Sequence, residues 1–169
     1  MGKKIKIYLA NGLFNAADRM LNEVIYKQLI RIRGIEVYAP QFNLAINDKK
    51  KSAGSKPIYE GDTAKLKWAD VLLAVIDDED LGTATEIGWV AGYNSTQPKS
   101  KQKTILGLFT DVREPSKTWS QAKNIDMKKD LAESQYCYIN LYMTGAIKKY
   151  GKLFDNLSDL LEYLKRMVK

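Results

Sequence analysis

The sequence predicts an α/β fold: a flavodoxin-like, doubly wound five-stranded parallel sheet flanked by helices. Three observations point there. Short apolar runs of strand length recur at Ile5 to Ala10, Ile35 to Ala39, Asp70 to Ile76 and Thr104 to Phe109. Segments with apolar residues at helical spacing separate them. Turn residues close the first two runs, Asn11-Gly12 after one and Pro40 after the other. Strands that alternate with helices imply parallel βαβ units with right-handed crossovers.

Taken in order, Ile5 to Ala10 reads as a buried strand. Leu21, Ile25, Leu29 and Ile32 come next at helical spacing, with Gly34 where a C-cap belongs. Ile35 to Ala39 is the second strand, and the polar segment from Gln41 to Pro57 is a long loop. Ile58 to Ala69 suits a helix, Asp70 to Ile76 a buried strand, and Thr83 to Tyr93 another helix. Thr104 to Phe109 is the fourth strand. An irregular basic stretch leads to a broken helical pattern around Met127 to Ile147, and Lys152 to Phe154 is short enough for a fifth strand. Ser158, with Glu162 nearby, opens a last amphipathic helix carrying Leu160, Leu161, Leu164 and Val168.

The chain has 169 residues, against a prior of roughly 150 per domain, so one domain over 1–169 is expected. Hydrophobic residues make 45% and charged residues 28%, which is globular usage. Histidine is absent. That excludes Ser-His-Asp triads, Cys-His pairs and imidazole metal sites. The one cysteine, Cys137, excludes internal disulfides and thiolate zinc clusters and fits a reducing cytosol. Chemistry is left to carboxylates, hydroxyls, amides, lysines and arginines.

Lys+Arg 27 against Asp+Glu 20 gives a net charge of +7. The excess is scattered, and its densest run, Lys49-Lys50-Lys51, lies in a Ser/Gly/Pro setting without interleaved aromatics. It reads as a solvated loop and not as a site for nucleic acid polymer. The longest strongly apolar run, Val71 to Ile76, is far short of the ~20 residues a spanning helix needs. No signal peptide or myristoylation pattern opens the chain, so a cytoplasmic location is expected.

In doubly wound sheets ligands bind outside the carboxyl ends of the strands. That rule selects Tyr8 to Phe14, Asp77 to Glu86, and Thr110 onward. The second segment is unusual, with Asp77, Asp78, Glu79 and Asp80 in a loop and Glu86 close behind in the next helix. A helix N-terminus favours the ionised carboxylate. Such a group at the ligand-binding edge is suited to attack an electrophilic carbon. It equally suits plain helix stabilisation. A metal reading of Asp77, Asp78 and Asp80 matches no calcium-loop spacing.

The run Asp80-Leu81-Gly82-Thr83-Ala84-Thr85-Glu86-Ile87-Gly88 resembles the active-site segment of nucleoside 2-deoxyribosyltransferases. In that family an Asp lies six residues before the nucleophilic Glu, with Gly-Thr-Ala between them and a Gly soon after. Lys6-Ile7-Tyr8-Leu9-Ala10 resembles the family's first strand, whose Tyr orients the nucleophile. Asp62 resembles the helix Asp that faces the nucleobase. Tyr138-Ile139-Asn140-Leu141 resembles the Asn-Leu-Met segment that a neighbouring subunit lends to the sugar's 5′-hydroxyl.

The resemblance implies Glu86 as nucleophile, Tyr8 as its partner and Asp62 as manager of the base proton. It implies Asp80 and Asn140 as sugar contacts, Gly82 at the turn beside them, Tyr142 on the neighbouring wall and Phe14 as a base-stacking candidate. Each has a plainer reading: Glu86 and Asp80 as helix-start acids, Asp62 as a partner of Lys65, Tyr8 and Phe14 as core aromatics, Asn140 as a cap. Tyr142 stands where the family has Met, and Asn11-Gly12-Leu13-Phe14 departs from a Ser-Pro-Phe pattern. Leu44 lies near a position where some members use a base-reading Gln.

The reaction this resemblance implies is transfer of 2-deoxyribose between nucleobases through a covalent ester on Glu86, with no metal or organic cofactor. The partners are 2-deoxynucleosides and free nucleobases. The alternatives are a 2-deoxynucleoside 5′-phosphate N-hydrolase and a non-catalytic nucleotide-sensing module. The resemblance also implies a shared active site, with Asn140 acting in trans in a homo-oligomer built from dimers, such as a hexamer. Tyr136, Tyr138, Tyr142 and Tyr150, which crowd a short apolar segment, support an assembly.

Overall fold

The computed structural model describes residues 4–43, 54–77, 80–111 and 139–168. Expectations for Leu44, Asp78, Glu79, Tyr136, Cys137, Tyr138 and the basic stretch beyond Asp111 lie outside the described residues. β1 (Ile5–Ala10), β2 (Ile35–Tyr38), β3 (Val71–Val75), β4 (Thr104–Leu108) and β5 (Gly151–Phe154) form one sheet in the order β2-β1-β3-β4-β5. Every pairing is parallel. This is the flavodoxin-like order that the sequence predicts.

Central strands of such a sheet are covered on both faces, which is why β3 can read Val-Leu-Leu-Ala-Val and be buried throughout. Alternate side chains divide between two cores. Tyr8, Ala10, Leu72, Ala74 and Ile105 meet Leu66 of α2 (Ser55–Trp68), Ile87 and Val90 of α3 (Leu81–Ser95) and Ile147 of α4 (Leu141–Tyr150). Ile7, Leu9, Leu73 and Leu106 meet Ile25 and Leu29 of α1 (Ala16–Leu29) and Leu160 and Leu164 of α5 (Leu157–Met167). Each large aliphatic side chain fully removed from water contributes about 1.5–3 kcal/mol.

Several element ends differ from the sequence reading. Helix α1 stops at Leu29, so Gly34 is not its C-cap; Gly34 instead takes the left-handed φ of 96° that turns the chain into β2. Part of the expected long loop is ordered into a 3₁₀ turn at Pro40–Phe42, and α2 begins at Ser55. Pro57 therefore sits in the first helical turn, where its missing N–H has no intrahelical partner to lose. The expected break before α4 is a cap at Asn140. Helix α5 is capped by Asn156, whose side chain accepts from Asp159 N at 2.8 Å, and not by Ser158. Strand β5 begins at Gly151, where a Cβ would lie 1.8 Å from the Ile105 carbonyl oxygen; only glycine lets β5 approach β4 there.

The chain leaves β1 for β2 on one side and returns to β3 on the other, so the strand order reverses between β1 and β3. A crevice opens at their carboxyl ends. At the opposite end, Lys103 is 9% exposed and its Nζ donates to the Lys67 carbonyl at 2.8 Å and to the Ala69 carbonyl. Among the described residues no helix is long and apolar enough to cross a membrane.

Candidate active site

Register places the first pair of groups. Tyr8 of β1 stands beside Tyr38 of β2 in the parallel ladder, and their rings approach to 5.3 Å between centroids. Tyr8 is wholly buried and its hydroxyl donates to Oε1 of Glu86 in α3. The Tyr38 hydroxyl donates to Oδ1 of Asp62 in α2 at 3.2 Å and accepts from Asn43 Nδ2 at 2.9 Å. Two tyrosines from adjacent strands thus hold two carboxylates from adjacent helices.

The environment changes how these acids ionise. Burial pushes Glu86 up to about 7; the Tyr8 hydrogen bond opposes this, while the charges of Asp62 and Asp80 add to it. Burial also raises Asp62, with the Tyr38 and Tyr8 hydroxyls pulling it back. Burial, then the charge of Glu86, drives the Tyr8 hydroxyl far above its ordinary value, so it stays a proton donor. Tyr38 is pushed up to about 12, chiefly by burial.

Asp80 caps α3, its Oδ1 accepting from Thr83 N at 2.7 Å. A Cβ on Gly82 would come within 3.1 Å of that oxygen, so the glycine leaves the carboxylate room to fold back on the helix end. Asp77 serves the loops instead. It accepts from Thr110 N at 2.6 Å, Thr110 Oγ1 at 2.9 Å and Asp111 N at 3.0 Å. Those bonds tie the end of β3 to the segment after β4. Among the described residues no group of three or more candidate donors could hold a metal ion.

A cavity of about 340 Å³ gathers Phe14, Asp62, Asp80, Gly82 and Glu86, with Asn11 and Pro40 on its rim. A second, of about 330 Å³, shares Asp62, Gly82 and Glu86 and extends to Tyr59 and Trp89. Both volumes suit a small ligand. Phe14, at 96% exposure, stands on the rim and is no core aromatic. A larger cavity, about 590 Å³, lies elsewhere, along the Gly88, Gly92 and Gly145 faces of α3 and α4. Among the described residues it has no carboxylate in its lining, unlike the smaller pair.

Asn140 and Tyr142 are not brought to Glu86 within one chain. Asn140 caps α4, accepting from Tyr142 N at 3.0 Å and Met143 N at 3.2 Å, and both residues border a separate cavity beside Ala84 and Gly88. Tyr142 is 92% exposed. Among the described residues nothing lies within 4 Å of where a Gly88 side chain would be, so α3 presents an open face there. The sequence reading missed Tyr38 and Asn43. Their signal was the parallel register, which sets a second tyrosine next to Tyr8.

The fold and the site define a class: a flavodoxin-like sheet whose switch-point crevice holds two partly buried carboxylates, fit for nucleophilic attack and proton transfer without histidine. The chain belongs to the nucleoside 2-deoxyribosyltransferase family, whose model matches residues 7–134. Membership makes it a glycosyl-transferring or hydrolysing enzyme acting on small nucleoside substrates. An uncharacterized protein of Ureaplasma parvum serovar 3 is 30% identical over 97% of this chain and 96% of its own. A conserved protein from Enterococcus faecalis V583 is 35% identical over 97% of this chain and 99% of that one, with a TM-score of 0.76. The fold is also that of a 2-deoxyribosyltransferase from Bacillus psychrosaccharolyticus (20% identity, 94% and 91% covered, TM-score 0.61). It is shared, too, by a CMP N-glycosidase from Clostridium botulinum (15% identity, 96% and 98% covered, TM-score 0.51).

Proposed function

We propose that the protein transfers 2-deoxyribose from one nucleobase to another by double displacement at Glu86. The observation that carries this reading is the pairing of Glu86, held by Tyr8, with Asp62, held by Tyr38, around one cavity. The Glu86 carboxylate attacks C1′ while the C1′–N bond breaks and its electron pair goes to the base nitrogen. Asp62 gives that nitrogen a proton. A deoxyribosyl ester remains, as in retaining glycosidases, whose transition states resemble an oxocarbenium ion. The incoming base then attacks C1′, the ester oxygen leaves to restore Glu86, and Asp62 takes the proton the new base sheds. Burial raises Asp62 toward the protonated form that the acid role needs; Glu86, pushed up to about 7, still reaches its ionised form near neutral pH.

Asp80, beside Gly82 at the start of α3, contacts the sugar hydroxyls in this reading, and Phe14 covers the base. Asn140 serves the 5′-hydroxyl from a second subunit of a dimer-based homo-oligomer, with Tyr142 beside it. The exposed Tyr142 and the open face around Gly88 and Gly145 support an assembly at that surface. Incubation with a deoxynucleoside, its 5′-monophosphate and a second free base tests the reaction. Base exchange, abolished in a folded Glu86→Ala variant, is expected. Cleavage of the monophosphate alone would instead mean that water, not a base, resolves the ester.

A further inference from the structure

We propose that Asn22 is a positioning residue for the site, latching together the two loops that leave β1 and β2 and form one wall of the carboxylate cavity. Only the identity of what that wall holds, a nucleobase, rests on the transferase reading.

Asn22 lies in mid-α1 and is 2% exposed. Its amide carries two donor hydrogens and an acceptor oxygen. All three are used. Oδ1 accepts from Asn11 Nδ2 at 2.9 Å, while Nδ2 donates to the Gly12 carbonyl at 3.0 Å and to Gln41 Oε1 at 2.9 Å. Gln41 in turn donates from Nε2 to the Arg19 carbonyl at 3.1 Å, one turn back on the same helix. One buried side chain therefore grips the loop after β1 twice and the turn after β2 once.

Those partners adjoin the cavity. Asn11 lines it directly, Leu13 and Phe14 follow Gly12, and Pro40 precedes Gln41. Phe14, the base-stacking candidate, has almost no cover of its own and depends on its loop for position. The same face of α1 supports that loop a second time. A Cβ on Gly12 would fall 2.1 Å from Asp18 Oδ2, so the Asp18 carboxylate sits tight against the Gly12 backbone.

Packing alone does not call for an amide at this position. The buried stripe Asp18, Asn22, Ile25, Leu29 turns apolar as soon as it passes beneath the sheet core. What leucine cannot supply is a directed bond to each loop. A buried amide with every group satisfied fixes geometry and tolerates little displacement.

Asn22→Leu keeps the number and branching of the side-chain heavy atoms and removes the bonds; Gln41→Met removes only the link to the second loop. In folded Asn22→Leu, KM for the acceptor base should rise at least tenfold, on the order expected when positioning alone is lost. The acid limb of the pH profile, set by Glu86, should not move. Hydrogen exchange should show amides 12–14 and 41–43 losing protection together. Gln41→Met should raise KM less and expose chiefly 41–43; it carries the test if Asn22→Leu fails to fold. Unchanged KM with only a lower melting temperature, or protection lost at one loop alone in Asn22→Leu, would overturn the latch. Wild-type protein that exchanges no base would overturn the transferase reading instead, and the hydrogen-exchange result would still decide the latch.

Discussion

Replacing Tyr8 by Phe removes one oxygen and leaves a ring that fits the same place, wholly buried and packed on Tyr38. The fold should survive, because the hydroxyl's partner in the structure is the Glu86 carboxylate. That bond stabilises the ionised form of Glu86, against burial and the charges of Asp62 and Asp80. A hydrogen bond to a charged group contributes about 1.5–3 kcal/mol. At ~1.36 kcal/mol per pKa unit, its loss should carry Glu86 upward by about one to two units from its value of about 7.

The nucleophile is the ionised form, so activity falls as pH drops through this pKa. At pH 7 the ionised fraction should shrink from about one half to between roughly one in ten and one in a hundred. kcat/KM at pH 7 should therefore fall about 5- to 50-fold relative to wild type, and that deficit should narrow as pH rises toward 9. A profile of base exchange across pH 5–9 for both proteins reads the acid limb of the free enzyme. A limb that stays put, or a loss that is equal at every pH, would refute the argument. Tyr8 would then act on geometry and not on the charge of Glu86.

Glu86→Gln should stabilise the protein at pH 8 and not at pH 4.5. The native state keeps a proton that the unfolded chain has released, so stability falls as pH climbs from 4.5 to about 7, by about 3 kcal/mol in all. Thermal melts at the two pH values check it, and equal stabilities at pH 8 would count against it. Lys103→Met should lower the urea midpoint by an amount worth about 1–3 kcal/mol, since the Lys67 and Ala69 carbonyls lose their shared donor, while KM stays unchanged at the far end of the sheet. Inactive Glu86→Ala and Asn140→Ala subunits, mixed and reassembled, should regain part of the exchange activity if Asn140 acts in trans; no recovery from a stable mixed oligomer would exclude it.

The strand order was legible because apolar runs and turn residues are local, and because parallel units admit few arrangements. Glu86, Asp62, Asp80, Gly82 and Phe14, named from the sequence, line one cavity with Tyr8 bonded behind them. Tyr38 was not named, since a strand tyrosine looks the same whether it fills a core or holds an acid. Its role emerges only from the ladder that sets it next to Tyr8. The ends of elements were hidden for a different reason. Asn156 and Ser158 are both good caps, and the choice between them depends on where the chain leaves β5.

Helix α1 shows most clearly what one-dimensional reading loses. Leu21, Ile25, Leu29 and Ile32 make an acceptable stripe, but the buried face is Asp18, Asn22, Ile25 and Leu29. The two stripes share Ile25 and Leu29 and part only at their ends. At the end nearest the strand tips the sequence favours Leu21, yet Asn22 is the residue turned inward, because the carboxyl edge of a doubly wound sheet is no longer a hydrophobic layer. Loop backbone comes down onto the helix there and brings carbonyls and amides that must be bonded. A helix serving such a sheet therefore needs an apolar face under the strands and a polar face under the loops. Where the inward stripe changes from one to the other marks the height at which the core ends and the site begins.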